Sequence, residues 1–313
     1  MTLSQLYYIV AVDNFRHFGT AAEHSFVTQP TLSMQIQKLE DELGAIIFDR
    51  TKQPVVPTDI GVKIIKQARI IIQESERLQN IIDSETGAYS GQLKIGVIPT
   101  IAPYLIPLFL KSFVEKYPGI ELVIDEITTR EIIKGIDKDL IDVGIIALPV
   151  NEPGVLEQPL YYEPFVAYIS KGHQLFKKSK IDASDLSNEE LLLLKEGHCL
   201  RGHALKLCRS SEREWSKGER KILFESGTIE TLKKLVEQDF GITLLPYLAV
   251  ERSCSLIQPS LVREFNAPVP KREIGMVFSK AYLKRHLIDA LAGEILKVVP
   301  RELLETENTL IVR

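Results

Sequence analysis

Apolar positions recur with a helical period through the first 58 residues, and the runs are short. Leu3, Leu6, Ile9 and Val10 form one stripe, as the buried face of an amphipathic helix requires. Residues 18–25 predict a second short helix, and Leu32, Ile36, Leu39 and Leu43 mark the buried face of a third. Thr28 stands at that helix's N-cap, Pro30 fits its first turn, where a missing N–H costs nothing, and Gly44 supplies the stop. Residues 48–58 place apolar flanks around a polar tip and predict a β-wing. Residues 59–88 read as one long helix capped by Thr58. In it Ile64, Ile71 and Leu78 are seven apart, with Ala68, Ser75 and Ile82 interleaved. That heptad-like seam suits pairing with a second copy, and the alternative is an amphipathic helix packed on its own chain. Residues 87–91 break the helix at a glycine-bounded hinge.

From Gln92 the texture changes to strands alternating with helices. Strands are predicted at 93–98, 120–126, 141–146, 165–169, 241–246 and 274–278, and helices at 101–117 and 132–140. The alternation predicts α/β architecture with a parallel, doubly wound sheet. Ligands in such sheets lie at the carboxyl ends of strands, which makes Thr100 and Thr129 crevice candidates or, alternatively, simple helix caps.

Length and charge narrow the classes. A chain of 313 residues predicts two or three domains, and no apolar run approaches the roughly 18 residues of a membrane span. Net charge is −4, and residues 1–88 hold eight Lys/Arg against eleven Asp/Glu, a local net of −3. Bulk charge therefore does not attract nucleic acid, and any DNA contact rests on a few placed groups. Thr28, Gln29, Pro30, Thr31, Ser33, Gln35 and Lys38 are those groups on the third helix, with Arg50 and Lys52 on the wing. Short polar side chains at a helix N-terminus reach base edges by hydrogen bonds, and the N-terminus itself favours phosphate. The chain opens Met1-Thr2-Leu3-Ser4 without an apolar leader, so a cytoplasmic location is expected.

Two of the three cysteines, Cys199 and Cys208, flank His198, Arg201 and His203 in one stretch. His198 and Arg201 make an electropositive setting that favours a thiolate at Cys199, and a thiolate attacks peroxide. If the stretch is helical its two Cα atoms lie roughly 13 Å apart, while a disulfide needs them within roughly 7 Å, so closure demands refolding. The competing readings are two core cysteines, a metal set of His198, Cys199, His203 and Cys208, and a structural disulfide, the last being rare in the cytosol. Cys254 reads as a core or surface thiol.

Residues 18–22, 27–33, 35–40, 43–44, 48–50 and 58–61 together resemble the LysR-type transcriptional regulators, and so do 226–232 and 241–246. The resemblance implies a winged helix-turn-helix with Gln29 to Ser33 in the major groove. It also implies a long linker helix and a regulatory domain like periplasmic binding proteins, built of two α/β subdomains. The implied boundaries are 1–58, 59–88 and 89–313, the last split into 89–163 with 269–313, and 164–268. Residues 98–100, 103–105, Thr129, 191–194, 197–201, Cys208 and 244–246 narrow the likeness to the peroxide-sensing members. Among those, Cys199 is the thiol that meets hydrogen peroxide, Cys208 resolves it as a disulfide, and Thr100, Thr129, His198 and Arg201 shape the pocket. Gly202 departs from the Asp usual there. The implied partners are double-stranded promoter DNA, hydrogen peroxide, RNA polymerase, a glutaredoxin or thioredoxin as reductant, and further copies as a homodimer or homotetramer. No cofactor, metal, membrane contact or catalytic turnover is implied. The rivals are a LysR-type regulator answering a small metabolite in the crevice, a thiol peroxidase and a metalloregulator.

Overall fold

In the computed structural model residues 1–86, 90–186, 191–208, 225–251, 258–280 and 285–312 are described, and they divide into two compact units at residues 87–89. Cys254 lies outside them, as does most of the proposed hinge at 87–91.

The first unit contains α1 (Leu3–Phe15), α2 (Phe18–His24), α3 (Gln29–Leu43), β1 (Phe48–Asp49), β2 (Val56–Pro57) and α4 (Asp59–Thr86). Its boundaries follow local chemistry. Thr2 and Gln5 form a capping box on α1. Thr28 caps α3 through the Thr31 N–H, and Gly44 ends it in the left-handed region at φ 63°. The Gly61 N–H donates to Thr58 Oγ1 at 3.0 Å, so Thr58 does cap α4. The wing is the antiparallel pair β1–β2. Leu6, Ile9, Val12, Leu32, Ile36, Leu39 and Phe48 fill the core.

The heptad seam of α4 is only partly available. Ile64, Ala68 and Ile71 pack against this unit's own core, while Leu78 is exposed; the side chain of Ile82 is outside those described. Arg69 ties the helix to α1 through Asp13 at 3.0 Å and Asn14 at 2.6 Å.

The second unit begins with β3 (Gly91–Val97), α5 (Ala102–Lys116), β4 (Ile120–Glu126), α6 (Thr129–Asp137) and β5 (Val143–Leu148). The long strand β6 (Val155–Ile169) follows, then β7 (Lys180–Ile181), β8 (Leu193–Leu194), α7 (Cys199–Leu207) and β9 (Glu225–Ser226). The chain closes with α8 (Ile229–Glu237), β10 (Ile242–Pro246), β11 (Val262–Phe265), β12 (Val269–Ser279), α9 (Arg285–Val298) and β13 (Thr309–Ile311).

The sheet corrects the expectation of an all-parallel arrangement. Strands β4, β3 and β5 pair in parallel, but β12 runs antiparallel to both β5 and β6. The strand expected at 165–169 is the last third of β6, whose earlier residues pair with β12 and whose end pairs with β10. Thus β6 carries the chain from one half of the sheet to the other, and β12 carries it alongside. Ile132 packs so closely on Gly96 and Gly144 that a Cβ there would sit 2.8 and 2.3 Å from its side chain. That approach seats α6 against β3 and β5.

Candidate redox site and nucleic-acid interface

Strand β8 leads into Gly197 at φ 95°, a left-handed turn that glycine adopts without strain, and α7 then starts at Cys199. A Cβ at Gly197 would touch Thr128 Cγ2 at 3.8 Å, so the start of α6 lies beside this turn. Cys199 occupies the first turn of a helix, where unpaired N–H groups and the macrodipole favour negative charge.

Opposing influences meet at its sulfur. Burial pushes the Cys199 thiol up, and this outweighs the lowering by Arg272, the Thr100 hydroxyl and the N–H groups of Leu200 and Cys199. The net direction is upward, which corrects the expectation of a readily formed thiolate. The local cations that prompted that expectation act elsewhere. Burial and Lys195 hold His198 below its usual range, so it is a neutral imidazole, and its Nδ1 is buried without a partner. Arg201 Nη1 donates to the Leu194 carbonyl at 3.1 Å, tying α7 back to β8.

The cation facing Cys199 is Arg272, which the sequence reading missed. Its side chain is fully buried, and its Nε and Nη2 donate to Glu163 Oε2 at 2.9 and 2.7 Å. Nη1 donates to Thr100 Oγ1 at 2.9 Å and Nη2 to the Thr100 carbonyl at 3.1 Å. Glu163 Oε1 accepts the Leu248 N–H at 3.0 Å, which completes the carboxylate. The register sets this up, because Arg272 on β12 stands opposite Glu163 on β6. One signal was available in the chain: Arg272 precedes the apolar run 274–278 at an even spacing, on the same face of a buried strand.

Thr100, at 2% exposure, therefore links Arg272 to Cys199. Thr129 is the first residue of α6, and its Oγ1 is buried without a partner; the cap of that helix is Thr128. His203 lies one turn beyond Cys199, buried, with its ring centroid 5.7 Å from that of Phe165 in an edge-on arrangement. Burial, Arg272 and Lys206 push its pKa down to about 3.

Cys208 ends α7 as its C-cap and is fully buried, and burial pushes its thiol up to about 12. Both cysteines are thiols. The intervening helix keeps them roughly 13 Å apart by its rise alone. Leu200, Ala204 and Leu207 anchor its buried face, and Gly202 sits on the outside with nothing near the place of a Cβ.

In the first unit Thr28, Gln29, Pro30 and Lys38 are exposed and Thr31, Ser33 and Gln35 are half-buried. Gln35 Oε1 accepts from Gln5 Nε2 at 3.2 Å. Lys52 is exposed and lies 3.7 Å from Asp49. Arg50 is more occupied than a wing cation aimed at phosphate. It donates to Glu40 at 2.8 Å and Ser33 Oγ at 3.3 Å, and it lies over the Phe18 ring. Glu40 in turn accepts the N–H groups of Ile47 and Phe48. Arg50 thus braces the wing against the third helix.

A three-helix unit with a wing, followed by a separate α/β unit built on a mixed sheet, is the architecture of a DNA-binding regulator with a sensing domain. Residues 3–62 match the family described as bacterial regulatory helix-turn-helix protein, lysR family, and residues 86–300 match the LysR substrate binding domain. The chain belongs to the LysR family. It is 34% identical over 295 residues to the hydrogen peroxide-inducible genes activator of Dickeya chrysanthemi, covering 94% of this chain and 95% of the relative. Identity to the Escherichia coli K12 DNA-binding transcriptional dual regulator OxyR is also 34%, over 94% of this chain and 95% of that one. A full-length OxyR variant from Pseudomonas aeruginosa superposes with a TM-score of 0.78 at 34% identity, covering 96% of this chain and 99% of that one. A Corynebacterium glutamicum OxyR mutant described as H2O2-bound gives a TM-score of 0.61 at 30% identity, over 95% and 94% of the two chains. No helix among the described residues is long and apolar enough to cross a membrane.

Proposed function

We propose that this chain is a DNA-binding regulator that senses hydrogen peroxide through Cys199 and switches by a Cys199–Cys208 disulfide. The observation that carries the reading is one half-buried thiol on a helix N-terminus, hydrogen-bonded to Thr100 and faced by Arg272, with a second, buried thiol at the far end of the same helix.

In the first step Cys199 sulfur attacks one peroxide oxygen, an S–O bond forms and the O–O bond breaks. Sulfur is oxidised by two electrons, and the departing oxygen leaves as water with the thiol proton. Arg272 and the helix N-terminus stabilise the negative charge that develops on the sulfur and the leaving oxygen. Thr129, His198 and Arg201 are proposed to shape the pocket around it. In the second step Cys208 sulfur attacks the sulfur of the Cys199 sulfenic acid, S–S forms, the S–O bond breaks, and the hydroxyl leaves as water with the Cys208 proton. A thiol reductant of the glutaredoxin or thioredoxin class returns two electrons.

The second step cannot occur on an intact α7. Drawing Cys208 to Cys199 pulls Leu200 and Leu207, 3% and 6% exposed, from their pockets. Burial of a leucine is worth roughly 1.5–3 kcal/mol, so refolding costs several kcal/mol and is driven by the covalent bond. That repacking is the signal passed to the DNA-binding units.

DNA contact is assigned to Thr28, Gln29, Pro30, Thr31, Ser33, Gln35 and Lys38 with Lys52, on promoter DNA read by a homodimer or homotetramer acting with RNA polymerase in the cytoplasm. Arg50 serves it by holding the wing. The protein is a sensor without turnover.

The test is mass spectrometry of alkylated protein after a stoichiometric peroxide pulse, comparing wild type with Cys208→Ser. The expected result is a Cys199–Cys208 disulfide in the wild type and a sulfenate at Cys199 in the variant. Two cysteines still reduced at that dose would overturn the reading.

A further inference from the structure

The hydroxyl of Tyr161 is buried and has no hydrogen-bond partner, although the residue itself is fully enclosed. A buried hydroxyl left unpaired costs roughly 1–3 kcal/mol, and phenylalanine would fill the same space without that cost. Such an atom calls for something that partners it at another moment.

Its position says what. Tyr161 and Glu163 are two apart on β6 and share a face. In the antiparallel register Tyr161 opposes Ile274, and Glu163 opposes Arg272. The phenol therefore belongs to the face that carries the Glu163–Arg272 pair, and the same guanidinium faces Cys199. Both charges are felt at the Tyr161 ring; burial and Glu163 keep the phenol protonated, so it remains a donor. Two more orphaned polar atoms, His198 Nδ1 and His203 Nδ1, belong to residues next to Cys199 and about one turn beyond it on α7.

We propose that Tyr161 is a further residue of the thiol centre, its hydroxyl donating a hydrogen bond to an oxygen of the small hydroperoxide held between Cys199 and Arg272. This rests on the peroxide-sensing reading. The chemistry is unchanged: sulfur gains the S–O bond, the O–O bond breaks, and the thiol proton leaves with the departing oxygen as water. Tyr161 keeps its own proton and stabilises the charge growing on that oxygen. The hydrogen bond exists only with peroxide present, so it favours reaction without stabilising the resting fold.

That separation makes the proposal testable with full-length wild type and Tyr161→Phe. Three quantities are measured: the second-order rate of Cys199 oxidation by hydrogen peroxide, its rate of alkylation by iodoacetamide, and the melting temperature. The peroxide rate is expected to fall roughly 10- to 100-fold, the range for losing a hydrogen bond to a charged partner. Alkylation should be unchanged, and melting unchanged or higher. Equal peroxide rates would overturn the proposal, as would parallel losses in peroxide and iodoacetamide rates, which would place the effect on the thiol or the fold. A wild type inert to peroxide, with its thiol open to iodoacetamide, would instead overturn the sensing reading and this inference with it.

Discussion

Replacing Arg272 with methionine separates the two jobs this side chain does. Glu163 is 1% exposed, and among the described residues one of its oxygens receives both Arg272 bonds while the other receives the Leu248 N–H. Removing the guanidinium strands a buried carboxylate with one neutral donor, which costs roughly 3–5 kcal/mol. For a unit of roughly 150–250 residues each kcal/mol moves melting by about 2–4 °C, so the regulatory unit should melt about 6–20 °C lower. Arg272→Met with Glu163→Gln should recover most of that loss, since an uncharged replacement for a buried ion pair is close to neutral. Thiol chemistry should not recover. In the double variant Cys199 still lacks the positive charge that offsets its burial, so peroxide oxidation stays slow although the fold is restored. Calorimetry of the reduced protein and stopped-flow peroxide kinetics measure the two effects. Single and double variants that melt alike, or a double variant that reacts at the wild-type rate, would refute the reasoning.

Gly202→Ala meets nothing at its Cβ and should stabilise α7 by about 0.5–1 kcal/mol; disulfide closure after sulfenate formation should slow by a few fold in quenched-flow alkylation, while the first oxidation step keeps its rate. Stability against pH should form a plateau. His203 has a folded pKa of about 3 against an ordinary 6.5, so the folded state binds fewer protons and stability falls as pH drops below 6.5. Cys208 has a folded pKa of about 12 against 9.0, so its contribution is complete below pH 9 and is lost as pH rises toward 12. Urea midpoints of His203→Gln should show a shallower acid limb, and those of Cys208→Ser a shallower alkaline one. Gly61→Ala would set a Cβ 2.0 Å from the Ile47 carbonyl oxygen, so proteolysis of the first unit should accelerate sharply with DNA binding lost and the second unit's melting unchanged.

The local signals in the chain determined a great deal by themselves. Thr28, Pro30 and Gly44 set the ends of the third helix because capping is a contact between near neighbours. The apolar periods placed the helices of the first unit and the strands β3, β4, β10 and β12, since burial of one face repeats with the element's own pitch. Cys199 and Cys208 were visible as a pair, and good helix formers mark the end of α7, whereas its start at Cys199 was not legible. Tertiary structure decided the rest. Whether Cys199 is a ready thiolate depends on burial, and burial depends on strands far away in the chain; so neighbouring cations gave the wrong direction. Arg272 joins Thr100 and Glu163 only because β6 and β12 run antiparallel in one register, and a register is a long-range choice that no short window carries. The same holds for Tyr161: its place beside the ion pair is written in the pairing of two strands, and the cost of its unpaired hydroxyl exists only once water is excluded.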